Sequence, residues 1–64
     1  MYYERDTRKL RKMLRDDGFV LSQAGSTQSH EKWKKGKERV YLSRTKEIEK
    51  ESTIRSIYNQ AGWL

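Results

Sequence analysis

The chain has no cysteine and no proline, a single histidine, and no long apolar run. Without cysteine there is neither a disulfide framework nor a thiolate metal site to offset a small core. No apolar stretch approaches the roughly 20 residues that cross a bilayer. The N-terminus is tyrosines and charges, not a secretory leader. The expectation is a soluble, cytoplasmic protein that makes no use of membrane. There is also no glycine-rich phosphate loop, no histidine pair for a metal, and no nucleophile, histidine and aspartate set that stands apart from ordinary surface residues. Asp16-Asp17 reads as a helix end, not as a catalytic carboxylate pair. No metal or cofactor is expected.

What the chain does have is positive charge. Fifteen Lys and Arg stand against nine Asp and Glu, a net +6 on 64 residues. A chain of this length is one domain and buries only about 60% of the surface its unfolded form exposes, which leaves no room for a deep enclosed site. So high a basic surplus on so small a body points to a polyanion, and to nucleic acid before membrane. Membrane binding would need an amphipathic helix with a broad apolar face rimmed by lysine, and neither candidate helix has one.

From about Glu4 to Asp17, Leu10, Met13 and Leu14 recur three and four apart with Tyr3 seven before Leu10, which predicts a helix with one face inward. Gly18 stands where a helix commonly ends in a left-handed residue. Phe19 to Gln23 reads as a short strand, and Ala24 to Gln28 as a polar loop. Ser29 to Lys35 alternates, with Trp33 marking the inward side, so His30, Lys32 and Lys34 point outward. A turn at Lys35-Gly36-Lys37 leads into Glu38 to Ser43, with Val40 and Leu42 inward and Arg39 and Tyr41 outward. Arg44 to Lys50 is a charged connector with one apolar anchor, Ile48. A second helix from about Ser52 carries Ile54, Ile57, Tyr58 and Ala61, opened by a Ser/Thr pair suited to capping and closed by Gly62. Trp63 and Leu64 are expected to pack back on the core.

The result is an α+β order of α-β-β-β-α, with two helices on one face of a three-stranded antiparallel sheet. The expected core is Leu10, Met13, Leu14, Trp33, Val40, Leu42, Ile54, Ile57 and Tyr58. The other sheet face stays open to solvent, as antiparallel sheets permit. It carries His30, Lys32, Lys34, Arg39 and Tyr41.

By itself, a lone histidine on a polar strand reads as an ordinary surface residue. Its neighbours supply a second reading. Imidazole, with an ordinary pKa of about 6.5, both takes and gives a proton near neutral pH. RNA carries its own nucleophile, the 2′-hydroxyl beside each phosphodiester. Its cleavage needs a base for that hydroxyl, cations for the phosphorane and a proton for the leaving oxygen, and needs no metal. His30 with Lys32, Lys34 and Arg39 has the chemistry for these parts. Tyr41 is equally a stacking platform for a base or a plain surface aromatic. DNA, lacking the 2′-hydroxyl, would be bound but not cut.

Five stretches together resemble a family: Arg5-Asp6 through Leu14; Gly18-Phe19; Ser29-His30-Glu31-Lys32-Trp33; Arg39-Val40-Tyr41-Leu42; and Thr53-Ile54-Arg55-Ser56-Ile57 through Gln60-Ala61-Gly62. They look like the HicA (YcfA-like) toxins, small bacterial mRNA interferases with a double-stranded-RNA-binding-domain-like fold, made alongside HicB antitoxins. The resemblance spans nearly the whole chain and is most specific at Ser-His with an aromatic three residues later and at the closing run from Thr53 to Gly62. It implies that His30 is catalytic and that a HicB-like antitoxin is the partner; Ser29, Lys32, Lys34, Arg39 and Tyr41 are the residues expected to meet RNA. Two departures stand out. The family reads Gly-Ser-His without interruption, whereas here Thr27-Gln28 separates Gly25-Ser26 from Ser29-His30. Aligning on His30 puts Trp33 at the aromatic position and makes the loop two residues longer, while aligning on Gly25-Ser26 puts Thr27 at the catalytic position and implies an inactive protein. The second histidine frequent after the third strand is replaced by Ser43, Arg44 and Thr45, so Lys32, Lys34 or water is left as the general acid. The alternatives to a toxin are a non-catalytic RNA-binding module of the same fold and a structural partner domain for an acidic protein.

Overall fold

Two apolar stripes at helical spacing and two alternating strands have one way to bury their apolar sides together, and the computed structural model, which describes residues 2–64, takes it. The order is α1 (Thr7–Asp16), β1 (Val20–Ser22), β2 (His30–Lys35), β3 (Glu38–Ser43) and α2 (Glu51–Gln60). The sheet is antiparallel with spatial order β1-β2-β3, so β2 is central. This is the expected α+β architecture. Leu10 and Leu14 from α1, Trp33, Val40 and Leu42 from the sheet, and Ile54 and Ile57 from α2 are all buried. Each such side chain contributes about 1.5–3 kcal/mol relative to exposure. Phe19, Ile48 and Ala61 complete the core, while Met13 and Tyr58, expected inside it, are only partly buried against it.

Both helices end in the same way. Gly18 at φ 100° and Gly62 at φ 77° take the left-handed conformation that side-chain-bearing residues avoid. The next N–H then turns back: Phe19 donates to the Leu14 carbonyl and Trp63 to that of Tyr58 (both 2.9 Å). The two residues so turned, Phe19 and Trp63, lie against the core and its rim. Leu64, expected to pack there too, is exposed.

The helix starts differ from expectation. α1 begins at Thr7, not near Glu4, because the Asp6 carboxylate accepts the Arg8 and Lys9 N–H groups as N-cap. Tyr3 is therefore outside the helix and packs edge-on against Tyr58 at 4.9 Å. α2 begins at Glu51 with Lys50 as N-cap and no side-chain cap, so Ser52 and Thr53 lie within its first turn. Tertiary bonds decide that start. Thr7 and Ile48 donate their N–H groups to Lys46 and Arg5 carbonyls across an isolated bridge. The Arg5 guanidinium also holds the Ile48 and Glu49 carbonyls and pairs with Glu51.

Asp17 joins α1 to the hairpin and the C-terminus. Hydrogen bonding from the Lys35 ammonium and then from the Trp63 indole holds its carboxyl below the usual value. Burial raises that of Asp6, but the N–H groups of Arg8 and Lys9 and their charges outweigh it, and the net direction is also down. A carboxyl depressed on folding adds stability that is present above its unfolded value, about 3.9, and lost as pH falls through the folded one. Thermal melts should therefore show Tm dropping on acidification below about pH 4. Asp17→Asn should lower Tm at pH 7 and flatten that acid limb, and an unchanged limb would remove Asp17 from the account.

Candidate nucleic-acid interface

The pairing register sorts the residues of β2 between the two sheet faces. Glu31 and Trp33 face the helices and are buried, while His30, Lys32 and Lys34 face away. Across the open face three rows form: His30 opposite Ser43, then Ser22, Lys32 and Tyr41, then Val20, Lys34 and Arg39. All of the predicted site residues on strands thus share one face. His30 is exposed, Lys32, Lys34 and Arg39 are half-buried, and Tyr41 is 47% exposed.

They are not all within reach of one another. At about 3.3 Å of rise per residue, Lys32 is about 7 Å from His30 along the strand and Lys34 about 13 Å. Only the Lys32 row lies next to His30; Lys34 and Arg39 form a separate group further along the face. Arg39 is further tied to the turn, its Nη1 donating to the Gly36 (2.8 Å) and Glu38 (3.0 Å) carbonyls. Ser29 precedes the strand and its backbone is engaged: its N–H donates to Thr27 Oγ1 and its carbonyl accepts from Arg44 N–H.

Residues that the sequence reading passed over hold His30 in place. The Thr27 hydroxyl accepts the His30 N–H at 3.1 Å, and the Thr27 N–H donates to the His30 carbonyl at 2.8 Å. Thr27 is in turn clamped by Arg44, whose Nε donates to its carbonyl at 2.9 Å and whose Nη1 reaches Glu31 Oε2 at 3.5 Å. Glu31, 7% exposed, completes its set with Arg11 Nε at 2.9 Å and the Trp33 indole N–H at 3.1 Å. A buried carboxylate needs such partners. Strand alternation already placed Glu31 inward beside Trp33, and that was the available clue to a basic partner on a neighbouring element.

The β1–β2 loop also shapes Lys32. Ser26 Oγ bridges the strands, donating to the Ser22 carbonyl and accepting the Lys32 N–H. Gly25 lies so close that a Cβ there would fall 2.1 Å from Lys32 Cδ, so the loop is folded against the lysine stem. Among the described residues no three His, Asp or Glu side chains converge as metal ligands, and no helix is long and apolar enough to cross a membrane. Compared with protein-family models, with curated proteins and with solved structures, the chain finds no match in any of the three.

Arg44→Ala should open this end of the sheet. With the Thr27 carbonyl freed and Glu31 left to Arg11 and Trp33, the partly exposed guanidinium should cost about 1 kcal/mol in chemical denaturation. Amide exchange at residues 27–30 should accelerate while Val40 and Leu42 keep their protection. Uniform acceleration over the whole chain would mean that Arg44 acts on global stability alone.

Proposed function

We propose that this chain is an endoribonuclease that cleaves mRNA with His30 as its acid–base group, acting as a growth-inhibiting toxin held in check by a HicB-like antitoxin. The observation that supports it most is the exposed imidazole at the head of β2, one row from Lys32, on a sheet face that also carries Lys34, Arg39 and Tyr41. The reading also draws on the HicA resemblance, with its double-stranded-RNA-binding-domain-like fold.

In this reading His30 takes the proton of a 2′-hydroxyl and the freed oxygen attacks the adjacent phosphorus. Lys32 stabilises the charge of the phosphorane, and the P–O5′ bond breaks as the leaving oxygen gains a proton from water or Lys32. The products are a 2′,3′-cyclic phosphate and a 5′-hydroxyl. Lys34 and Arg39 bind a neighbouring phosphate, and Tyr41, beside Lys32, offers its ring to a base. The reaction uses RNA's own nucleophile, so it should proceed in EDTA.

One observation favours the second reading, a non-catalytic RNA-binding module. The His30 imidazole makes no hydrogen bond among the described residues, so only its backbone is held. Assays on a long unstructured RNA in EDTA separate the two. His30→Ala should reduce cleavage by about a hundred- to ten-thousandfold. Its stability should change by less than about 0.5 kcal/mol, because an exposed strand residue removes no core contact. RNA bound but uncut by the parent chain would favour the module, and cutting by a folded His30→Ala chain at the parent rate would remove His30 from the mechanism.

The salt dependence of binding tests the face apart from the chemistry. Replacing Lys32, Lys34 or Arg39 by alanine should each flatten the slope of log K against log salt by about 0.7, one single-strand phosphate contact. Binding that is indifferent to salt would place RNA elsewhere.

A further inference from the structure

The sheet has two edges, and the chain treats them differently. Along β3, helix α2 closes in and the Gln60 side chain accepts the outward Tyr41 N–H at 3.0 Å. The same bond fixes the phase of the ladder. Because Tyr41 turns its N–H away from β2, the opposing Lys32 turns its own toward β1, and Leu21, next along from Ser22, turns its N–H and carbonyl away from β2 to the outer edge. Among the described residues nothing outside the sheet bonds to them. Val20 and Leu21 on this edge are 64% and 37% exposed, the least covered aliphatic side chains on any strand.

Beside that edge runs a groove of about 310 Å³ between β1 and α1, with Phe19, Leu21 and Trp33 on its apolar side and Arg11 and Arg15 above. Arg11 is committed to Glu31, but Arg15 has no carboxylate within 4.0 Å among the described residues and rests over the Trp33 ring at 5.7 Å. An unpaired edge with an apolar trough and a free guanidinium matches the way extended peptides add to a sheet: main-chain bonds give affinity and alternate side chains give selectivity.

We propose that β1 is a docking edge for an extended acidic segment of a partner protein, which adds as a fourth strand. Apolar side chains on one of its faces enter the groove over Leu21 and Trp33, and a carboxylate on that same face pairs with Arg15. Charge selects this occupant. A second copy of the chain would bring another +6 and another Arg15 to the same edge, whereas an acidic segment is drawn in. The inference stands on the edge and the groove and does not require His30 to be catalytic.

The test uses the full chain with three capped synthetic peptides of about seven residues, enough for one strand. One alternates serine with valine, glutamate and valine, so that the valine and glutamate side chains share one strand face; one has lysine in place of that glutamate; and one has the valines side by side in a block, which spreads them over both faces. Backbone NMR should show the alternating acidic peptide shifting residues 19–22 and Arg15 and slowing Leu21 amide exchange by about tenfold or more. The lysine peptide should leave them unmoved, and the blocked peptide should bind about tenfold more weakly. Arg15→Glu should weaken the acidic peptide by about tenfold and admit the lysine peptide. Leu21→Pro, which removes the outward N–H, should abolish the effect. Because the charge swap at Arg15 leaves the strand intact, the proposal stays testable even if Leu21→Pro fails to fold. Three results would overturn it: peptide shifts centred on His30, Lys32 and Lys34; a chain that sediments alone as a dimer paired through β1; or an RNA oligonucleotide that shifts the β1 amides in place of the peptide.

Discussion

The structure depends on one buried carboxylate. Glu31 sits on the inner face of the central strand, where an unpaired charge would cost several kcal/mol. Three groups from different parts of the chain converge on it: Arg11 from α1, Arg44 from the connector after β3, and the indole N–H of Trp33 two residues along the same strand. In a chain too small for a large core, this contact takes the place a disulfide has in other small domains, joining helix, strand and connector at one point. It also links the two faces of the sheet. Glu31 adjoins His30 in sequence and points the other way, so whatever fixes the carboxylate fixes the strand from which the imidazole projects. Arg44 extends the link by holding the Thr27 carbonyl, and Thr27 holds the His30 backbone.

How far such an arrangement can be read from sequence depends on the range of the interactions that make it. The two faces of β2 and β3 were legible because alternation is local and Trp33, Val40 and Leu42 leave one choice of inward side. Both helix ends were legible because Gly18 and Gly62 signal them. The start of α2 was not. Ser52 and Thr53 are good capping residues, but Arg5 and the Asp6–Glu47 bridge hold the connector so that the helix opens at Glu51, with Lys50 in the cap position. Tertiary bonds outweighed local preference there.

The candidate site divides in the same way. Its strand residues were legible, but the β1–β2 loop that orders them was not, since Ala24 to Gln28 shows only small polar residues with no period. Its structure comes from bonds to distant partners: Arg44 to Thr27, Ser26 across Ser22 and Lys32, and Gly25 against the Lys32 stem. Alternation puts the cations on one face without giving their spacing along it. Once strand rise is counted, His30 and Lys32 form one group and Lys34 and Arg39 another, about two residues further on.

Thr27 and Gln28, which count as a loop extension if the chain is aligned with the HicA pattern on His30, differ in what they do. Thr27 supplies its hydroxyl, N–H and carbonyl to bonds around His30, whereas no hydrogen bond of Gln28 is formed among the described residues. The extension is therefore built into the strand end and is not a slack insertion. It holds the backbone of His30 and leaves the imidazole without a hydrogen bond among the described residues, unlike a histidine oriented by a neighbouring carboxylate. In the proposed cleavage, Lys32, held against Gly25 and one row from His30, is the cation whose phosphate sets whether a 2′-hydroxyl comes within reach of the imidazole.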